Sequence, residues 1–215
     1  MSQFYSDISS ALQRGRAKEV AALVTAALEA GESAEALLNE GLIAGMNIVG
    51  DKFRTGEVFV PEVLVAARAM NAGLNLLRPV LTAAGVEPIG KAVICTVKGD
   101  MHDIGKNLVK MMIEGKGIEC VDLGVDVAPE AIVEAVRESG AQLVCLSALL
   151  TTTMAGQKDV VDALVAAGLR DQVKVMVGGA PVTQEFADEI GADCYTLDAA
   201  SAAREAKRLI AEMRA

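Results

Sequence analysis

Beyond residue 90 the chain repeats one pattern five times: a short apolar run of strand type, then a helical stretch. Residues 92–97, 118–123, 143–147, 173–177 and 194–197 read as strands. Residues 104–116, 129–139, 155–167, 183–190 and 200–213 read as the helices that follow them. Strands separated by helices cannot join as hairpins. They need crossover connections, and these produce a parallel sheet wound on both faces. Such a sheet takes its ligands beyond the C-terminal ends of the strands, where the strand order reverses. Functional residues are therefore expected directly after each strand. Those junctions read Lys98-Gly-Asp-Met-His-Asp-Ile-Gly105, Gly124-Val-Asp126, Ser147-Ala-Leu-Leu-Thr-Thr-Thr153, Gly178-Gly-Ala-Pro181 and Asp198-Ala-Ala200. Four of these five are rich in small or hydroxyl residues, which suits a ligand lying close against the backbone.

Before residue 85 the periodicity is different. Leu38, Leu42, Gly45, Val49 and Phe53 fall on one helical face, with Ala34, Leu37, Gly41, Ala44 and Ile48 beside it. Similar spacing runs through 3–14, 17–30 and 60–83. Gly15, Gly31 and Gly56 punctuate these stretches as turn or C-cap positions. Ser33 stands where an N-cap is expected, and Pro61 where a first-turn proline is tolerated. Residues 1–84 thus read as a bundle of about four antiparallel helices. Ala84-Gly-Val-Glu-Pro-Ile-Gly90 is a linker of helix breakers, and residues 91–215 form the α/β domain.

Composition removes several function classes. The 215 residues include one His, so any site built on two imidazoles is excluded. Aromatic residues are 3% with no Trp, and the net charge is −9, so a nucleic-acid partner is not expected. Cys95, Cys120, Cys145 and Cys194 form no C-x-x-C pair and sit in strand-like runs, as small buried hydrophobes do in a reducing compartment. No basic segment followed by an apolar one opens the chain, and no apolar run is long enough for a bilayer. A soluble, cytoplasmic protein without membrane contact is expected. Neither phosphate-binding glycine motif occurs where it would be needed, and there is no G-x-S-x-G elbow.

What remains is the loop after the first strand, which holds the lone His102 between Asp100 and Asp103. In an extended loop, residues two apart point to the same side, so Asp100 can reach one ring nitrogen and leave the other free. That is the carboxylate–histidine–metal arrangement. Gly105 removes a side chain where a bulky group would approach. A solvated loop histidine between two capping aspartates fits the same residues. A metal with a single protein ligand must take the others elsewhere, and a macrocycle can supply four.

Asp100-Met-His-Asp-Ile-Gly105 resembles the D-x-H-x-x-G motif of cobalamin-binding domains. Ser147-Ala-Leu149 resembles the S-x-L of that family, and Gly178-Gly179 its G-G. Gly50-Asp-Lys-Phe-Arg-Thr-Gly-Glu-Val-Phe-Val-Pro-Glu-Val63 is similar to the helical cap that precedes this domain in methionine synthase and in stand-alone corrinoid proteins of methyltransferase systems. The resemblance covers nearly the whole chain. It implies a four-helix cap joined to a five-stranded, flavodoxin- or Rossmann-like cobalamin domain. It also implies base-off cobalamin, with His102 as lower cobalt ligand in place of the dimethylbenzimidazole. Asp100 would hydrogen-bond that histidine, and Thr153 would extend the relay where methionine synthase has a serine. The displaced nucleotide tail would pass Ser147, Leu149, Thr151, Gly178, Gly179 and Ala180, with Asp198, Ala199 and Ala200 near its end. Met101, Asp103, Ile104 and Gly105 would lie near the corrin. Phe53, Val60 and Val63 would cover the upper cobalt face, although apolar helix residues equally read as bundle core.

The function so implied is that of a methyl carrier without a complete active site of its own. A substrate-specific methyltransferase, of the O-demethylase, methylamine, methanol or betaine type, would load its Co(I). A second methyltransferase, acting on tetrahydrofolate or a thiol such as coenzyme M, would unload the methylcobalamin. A reductive activator would rescue Co(II). The macrocycle supplies the chemistry, and the protein supplies ligation, orientation and shielding. The alternatives are a cobalamin-dependent sensor and the small subunit of a carbon-skeleton mutase. Residues 1–83 argue against the mutase, and the acidic charge argues against a DNA-binding sensor. A flavodoxin-like signalling module would leave the Asp100–Gly105 motif unexplained.

Overall fold

The computed structural model describes residues 3–214. The chain divides into a helical unit up to Pro88, which also takes in residues 115–117, and an α/β unit made of 89–114 and residues from 118 onward.

The helical unit opens with α1 (Gln3–Gln13) and α2 (Ala17–Glu29). Next, α3 (Ala34–Ala36) runs without a break into a π-helical stretch, Leu37–Ile43, and on into α4 (Ala44–Thr55); α5 (Val60–Ala83) follows. Local chemistry sets the ends. Ser33 Oγ accepts the Ala36 N–H at 3.4 Å, and the Glu62 carboxylate accepts the Phe59 N–H at 2.9 Å at the start of α5. Gly56 closes α4 in a left-handed conformation, φ 77°, that its missing side chain permits. Apolar residues three and four apart place Ile8, Leu12, Val20, Val24, Leu42 and Leu77 fully inside. A methyl group on Gly73 would come within 2.9 Å of Leu42, so hydrogen at that position allows α5 to seat closely. A single straight helical face through 34–53 is not what forms. The π turn takes one residue more than an α turn, and the buried set becomes Leu37, Gly41, Leu42, Gly45, Met46 and Val49. Ile48, expected beside that face, is exposed.

The α/β unit contains β1 (Lys91–Val97), α6 (Ile104–Glu114), β2 (Glu119–Val127), α7 (Pro129–Ser139) and β3 (Leu143–Ser147). It continues with α8 (Ala155–Ala166), β4 (Lys174–Gly178), α9 (Gln184–Glu189), β5 (Cys194–Tyr195) and α10 (Ala199–Met213). All five strands pair in parallel, in the order β2-β1-β3-β4-β5. Val93, Cys95, Val97, Val144, Leu146 and Val175 form a buried layer with Ile132 and Val136 of α7 and with Val160 and Leu164 of α8. Helices α6 and α10 pack against each other. Cys95 and Cys145 are buried free thiols, and Cys120 and Cys194 are partly buried. Among the described residues no helix is long and apolar enough to cross a membrane.

One junction differs from its expected place. Gly124-Val-Asp126 does not follow the second strand but lies inside it. Gly124 (φ 84°) and Asp126 (φ 54°) take left-handed conformations, and the register slips at both. Ile94 faces Asp122, Cys95 faces Gly124, and Val97 faces Val127. Extra residues inserted in this way bulge an edge strand and let it continue. Asp122 supports the bulge by accepting the Gly124 N–H at 2.9 Å. Its carboxylate also meets the buried Lys106 Nζ at 2.6 Å and Lys110 Nζ at 3.2 Å. Burial alone would raise the Asp122 pKa, but these lysines and the Gly124 N–H outweigh it and hold the carboxyl below its ordinary range.

Candidate functional site

Because β2 lies on one side of β1 and β3 on the other, the strand order reverses between β1 and β3. A crevice at their C-terminal ends follows from that reversal. Thr96 and Ser147 form the last paired rung, and the loops leaving these two strands carry the site.

Asp100 is the buried hub. Its Oδ1 accepts the His102 backbone N–H at 3.0 Å and lies 2.7 Å from His102 Nδ1. Its Oδ2 accepts the Leu149 N–H at 2.7 Å and the Thr153 hydroxyl at 2.7 Å. The residue is 0% exposed. Burial by itself would raise its pKa. The hydrogen bonds from Thr153, from the His102 and Leu149 backbones and from the His102 ring outweigh it, and the carboxyl is held well below the usual range. An ionised Asp100 calls for a proton on His102 Nδ1, so in the neutral imidazole Nε2 is the nitrogen that carries the lone pair. The His102 side chain is half exposed. The arrangement is thus a fixed, oriented imidazole offering one basic nitrogen to a ligand at the crevice mouth.

Thr96, a buried hydroxyl in a strand that is otherwise apolar after Lys91, donates to the His102 carbonyl at 2.8 Å. Asp103 acts locally. Its carbonyl accepts the Asn107 N–H at 2.8 Å and its Oδ2 the Asn107 side-chain amide at 3.1 Å, closing the first turn of α6. Met101 and Ile104 are exposed at 68% and 75%, and Leu149 and Leu150 are also exposed large apolar side chains. Gly105 has no atom within 4 Å of where a Cβ would stand.

The third loop adjoins the second. Ala148 donates to the Gly178 carbonyl at 3.1 Å. A Cβ on Gly179 (φ 133°) would lie 1.8 Å from the Ala148 carbonyl oxygen, so only glycine permits this approach. Gln157 of α8, fully buried, binds both strands: its Nε2 donates to the Leu146 and Gly178 carbonyls, each at 3.0 Å. Its Oε1 is buried with no hydrogen-bond partner among the described residues. Ser147 is partly buried, whereas Thr151 and Ala180 are exposed. Asp198 caps α10 by accepting the Ser201 N–H at 2.8 Å and the Ser201 hydroxyl at 2.9 Å, and Ala199 and Ala200 are buried behind it.

The structure therefore brings Asp100, His102, Leu149 and Thr153 into one hydrogen-bonded set, with Gly178 and Gly179 against the Ala148 backbone. Asp198, Ala199 and Ala200 stand apart from that set, at the end of β5. Phe53, Val60 and Val63 belong to the helical unit, where Val63 is fully buried, the other two are partly buried, and Phe59 between them is exposed at 66%. Thr96, Asp126 and Gln157 have contacts here that the sequence did not assign to them. The usable signals were a polar residue inside an apolar strand and a glutamine in the buried stripe 157, 160, 161 and 164 of α8.

Among the described residues no group of three or more His, Cys, Asp or Glu side chains is placed to hold a metal ion. The residues do fit a corrinoid. Such a group needs one nitrogen donor, an apolar surround, space beside the backbone and a polar interior for its tail. His102, the exposed Met101 and Ile104, the open side of Gly105 and the unpaired Gln157 Oε1 answer those needs in turn.

Residues 90–207 match the model of the B12 binding domain family, and residues 5–78 match a second model also described as a B12 binding domain. The chain is 44% identical to dimethylamine corrinoid protein 2 of Methanosarcina acetivorans over 209 residues, 97% of this chain and 96% of that one. It is 46% identical to the trimethylamine corrinoid protein of Methanosarcina barkeri over 183 residues, 84% of each. Among solved structures it resembles one chain of the methanol:cobalamin methyltransferase complex of Methanosarcina barkeri, with TM-score 0.89 and 33% identity, covering 98% of this chain and 80% of that one. It also resembles a cobalamin-binding protein of Desulfitobacterium hafniense, with TM-score 0.79 and 32% identity, covering 97% and 99% of the two chains. Matched in both units, and aligned with such relatives along almost its whole length, the chain belongs to the B12 binding domain family.

Proposed function

We propose that this protein is a methyl carrier that holds cobalamin base-off, with His102 as lower axial ligand, and shuttles methyl groups between two methyltransferases. The observation that carries the reading is the Asp100 hub, which fixes His102 through Nδ1 and leaves Nε2 free at the crevice mouth. When bound, the corrinoid supplies a nucleophilic cobalt able to accept and release a methyl group.

The chain's own residues do the rest. Asp100 fixes the ring's tautomer and strengthens Nε2 as a donor. Thr153, whose hydroxyl reaches Asp100 Oδ2 at 2.7 Å and the Leu150 carbonyl at 3.1 Å, can switch acceptor as the charge on the Asp100–His102 pair changes. It is the member of the set able to take up a proton rearrangement without moving the backbone. Met101, Ile104 and Leu149 exclude water from the lower face, while Ser147, Thr151, Gly178, Gly179 and Ala180 line the path of the tail and Asp198, Ala199 and Ala200 its far end. For the upper face, the shielding residues we propose are Phe53 and Val60 of the helical unit, with Val63, fully buried, in the bundle core. Residues 1–84 and 91–215 act as separate cap and cofactor domains.

The partners we propose are a loading methyltransferase, an acceptor methyltransferase working on tetrahydrofolate or coenzyme M, and a reductive activator of Co(II), all in the cytoplasm. Methylated amines are the first substrate class to assay, because the relatives at 44–46% identity bear dimethylamine and trimethylamine names. The test is reconstitution with hydroxocobalamin, reduction to Co(II) and electron paramagnetic resonance. The spectrum should show one axial nitrogen that vanishes in His102→Ala. An axial nitrogen that survives this substitution, or no binding by the unaltered protein, refutes the reading.

A further inference from the structure

The geometry points to Asp126 of the edge strand β2 as a positioning residue that holds the His102 loop in its ligating form; this rests on the function proposed above. Among the described residues, Asp126 is the one non-glycine residue with a positive φ, 54°. A left-handed conformation is uncommon for residues with a side chain, Asp and Asn adopting it most readily, and here it is held by the surroundings.

Two contacts enforce this one. The Asp126 carboxylate accepts the Gly99 N–H at 2.7 Å, and the Asp126 N–H donates to the Asp100 carbonyl at 3.0 Å. One residue thereby grips both ends of the Gly99-Asp100 dipeptide, donor to acceptor at each. Gly99 is itself left-handed, φ 82°, and exposed, so without this grip the loop has the conformational freedom of glycine in water. Asp100 is then fixed on three sides. Its side chain is held by Leu149 and Thr153, its N–H bonds to Val97 at 3.1 Å, and its carbonyl is held by Asp126. The Asp126 carboxylate is exposed and takes no part in the buried layer of the sheet, so packing does not explain it. The bulge that carries Asp126 is what turns an edge strand back over the loop at the point where aim matters.

The test uses the full chain reconstituted with hydroxocobalamin and reduced to Co(II), read by electron paramagnetic resonance as the ratio of histidine-ligated to unligated cobalt. Asp126→Gly removes the carboxylate yet adopts φ 54° without strain, so the bulge survives. Asp126→Asn keeps an acceptor oxygen and tolerates the left-handed region. The ratio should fall about fivefold in D126G, the worth of one hydrogen bond, and stay near the unaltered value in D126N. An equal ratio in D126G and the unaltered protein, or a D126N ratio no better than that of D126G, overturns the proposal. Failure of the underlying function is separately visible, because the unaltered protein would then show no nitrogen signal that depends on His102.

Discussion

Replacing Asp100 with asparagine should destabilise the cofactor-free protein far more than its single-atom change suggests. The aspartate accepts four hydrogen bonds, two at each oxygen. An amide has one oxygen. If that oxygen stands at the Oδ1 position and keeps the two His102 bonds, the NH2 group faces the Leu149 N–H, donor against donor. The Thr153 hydroxyl can retreat to the Leu150 carbonyl, 3.1 Å away, but the Leu149 N–H has no such alternative, and the amide NH2 facing it at the fully buried position 100 is left unmet. A hydrogen bond to a charged group is worth about 1.5–3 kcal/mol, and an unmet buried donor costs about 1–3 kcal/mol, so the loss at neutral pH should be about 3 kcal/mol. Urea denaturation followed by far-UV circular dichroism measures it directly. The pH dependence supplies a sign. The folded carboxyl lies well below its unfolded value, so its contribution is fully present above that value and is lost as pH falls through the folded pKa. Asparagine does not titrate. The stability gap between the two proteins should therefore be largest above about pH 5 and shrink on acidification below about pH 4. A gap under about 0.5 kcal/mol at neutral pH, or one that widens as pH falls, would show that the hub does not hold the loop as argued.

Three other outcomes follow from local geometry. Gly179→Ala should cost at least about 3 kcal/mol in urea denaturation, because its methyl would stand 1.8 Å from a backbone oxygen, whereas Gly105→Ala, with nothing within 4 Å, should leave folding within about 1 kcal/mol and weaken cobalamin uptake in an absorbance titration. Gln157→Glu should destabilise more than Gln157→Leu at neutral pH, since a carboxylate would face two carbonyl oxygens now served by an NH2 group; thermal melts of the two variants give the ranking. In the native protein, Cys95, whose thiol burial pushes up to about 12, and Cys145, raised by the same cause, should resist iodoacetamide at pH 8 over a period that labels the less buried Cys194, as mass spectrometry of tryptic peptides would show.

Much of the architecture was legible because period reports burial. Strand-like runs separated by helices leave few topologies, and β1, β3 and β4 stand within a residue of their expected ranges. The second strand was expected at 118–123, but its continuation to Val127 escaped because Gly124 and Asp126 look like the end of a strand, and only pairing with β1 shows that they bulge it instead. The π stretch escaped for a similar reason: one extra residue in a turn leaves no mark on composition and shifts which side chains point inward.

At the candidate site, the residues proposed to carry the chemistry stand out in the chain alone. The lone histidine, its aspartate two positions earlier and the glycine pair stand directly after strand-like runs, and i, i+2 spacing puts Asp100 within reach of His102. How the histidine is held is a matter of tertiary structure. Leu149 and Thr153 lie 49 and 53 residues from Asp100 and meet it because β1 and β3 are neighbours. Asp126 reaches the loop across 27 residues through a bulge in β2, and Gln157 joins β3 to β4 from a helix. Such bonds join residues far apart in the chain, and no local periodicity encodes them. They exist only once the strand order has brought the loops to one edge of the sheet, where water no longer competes for the buried carboxylate.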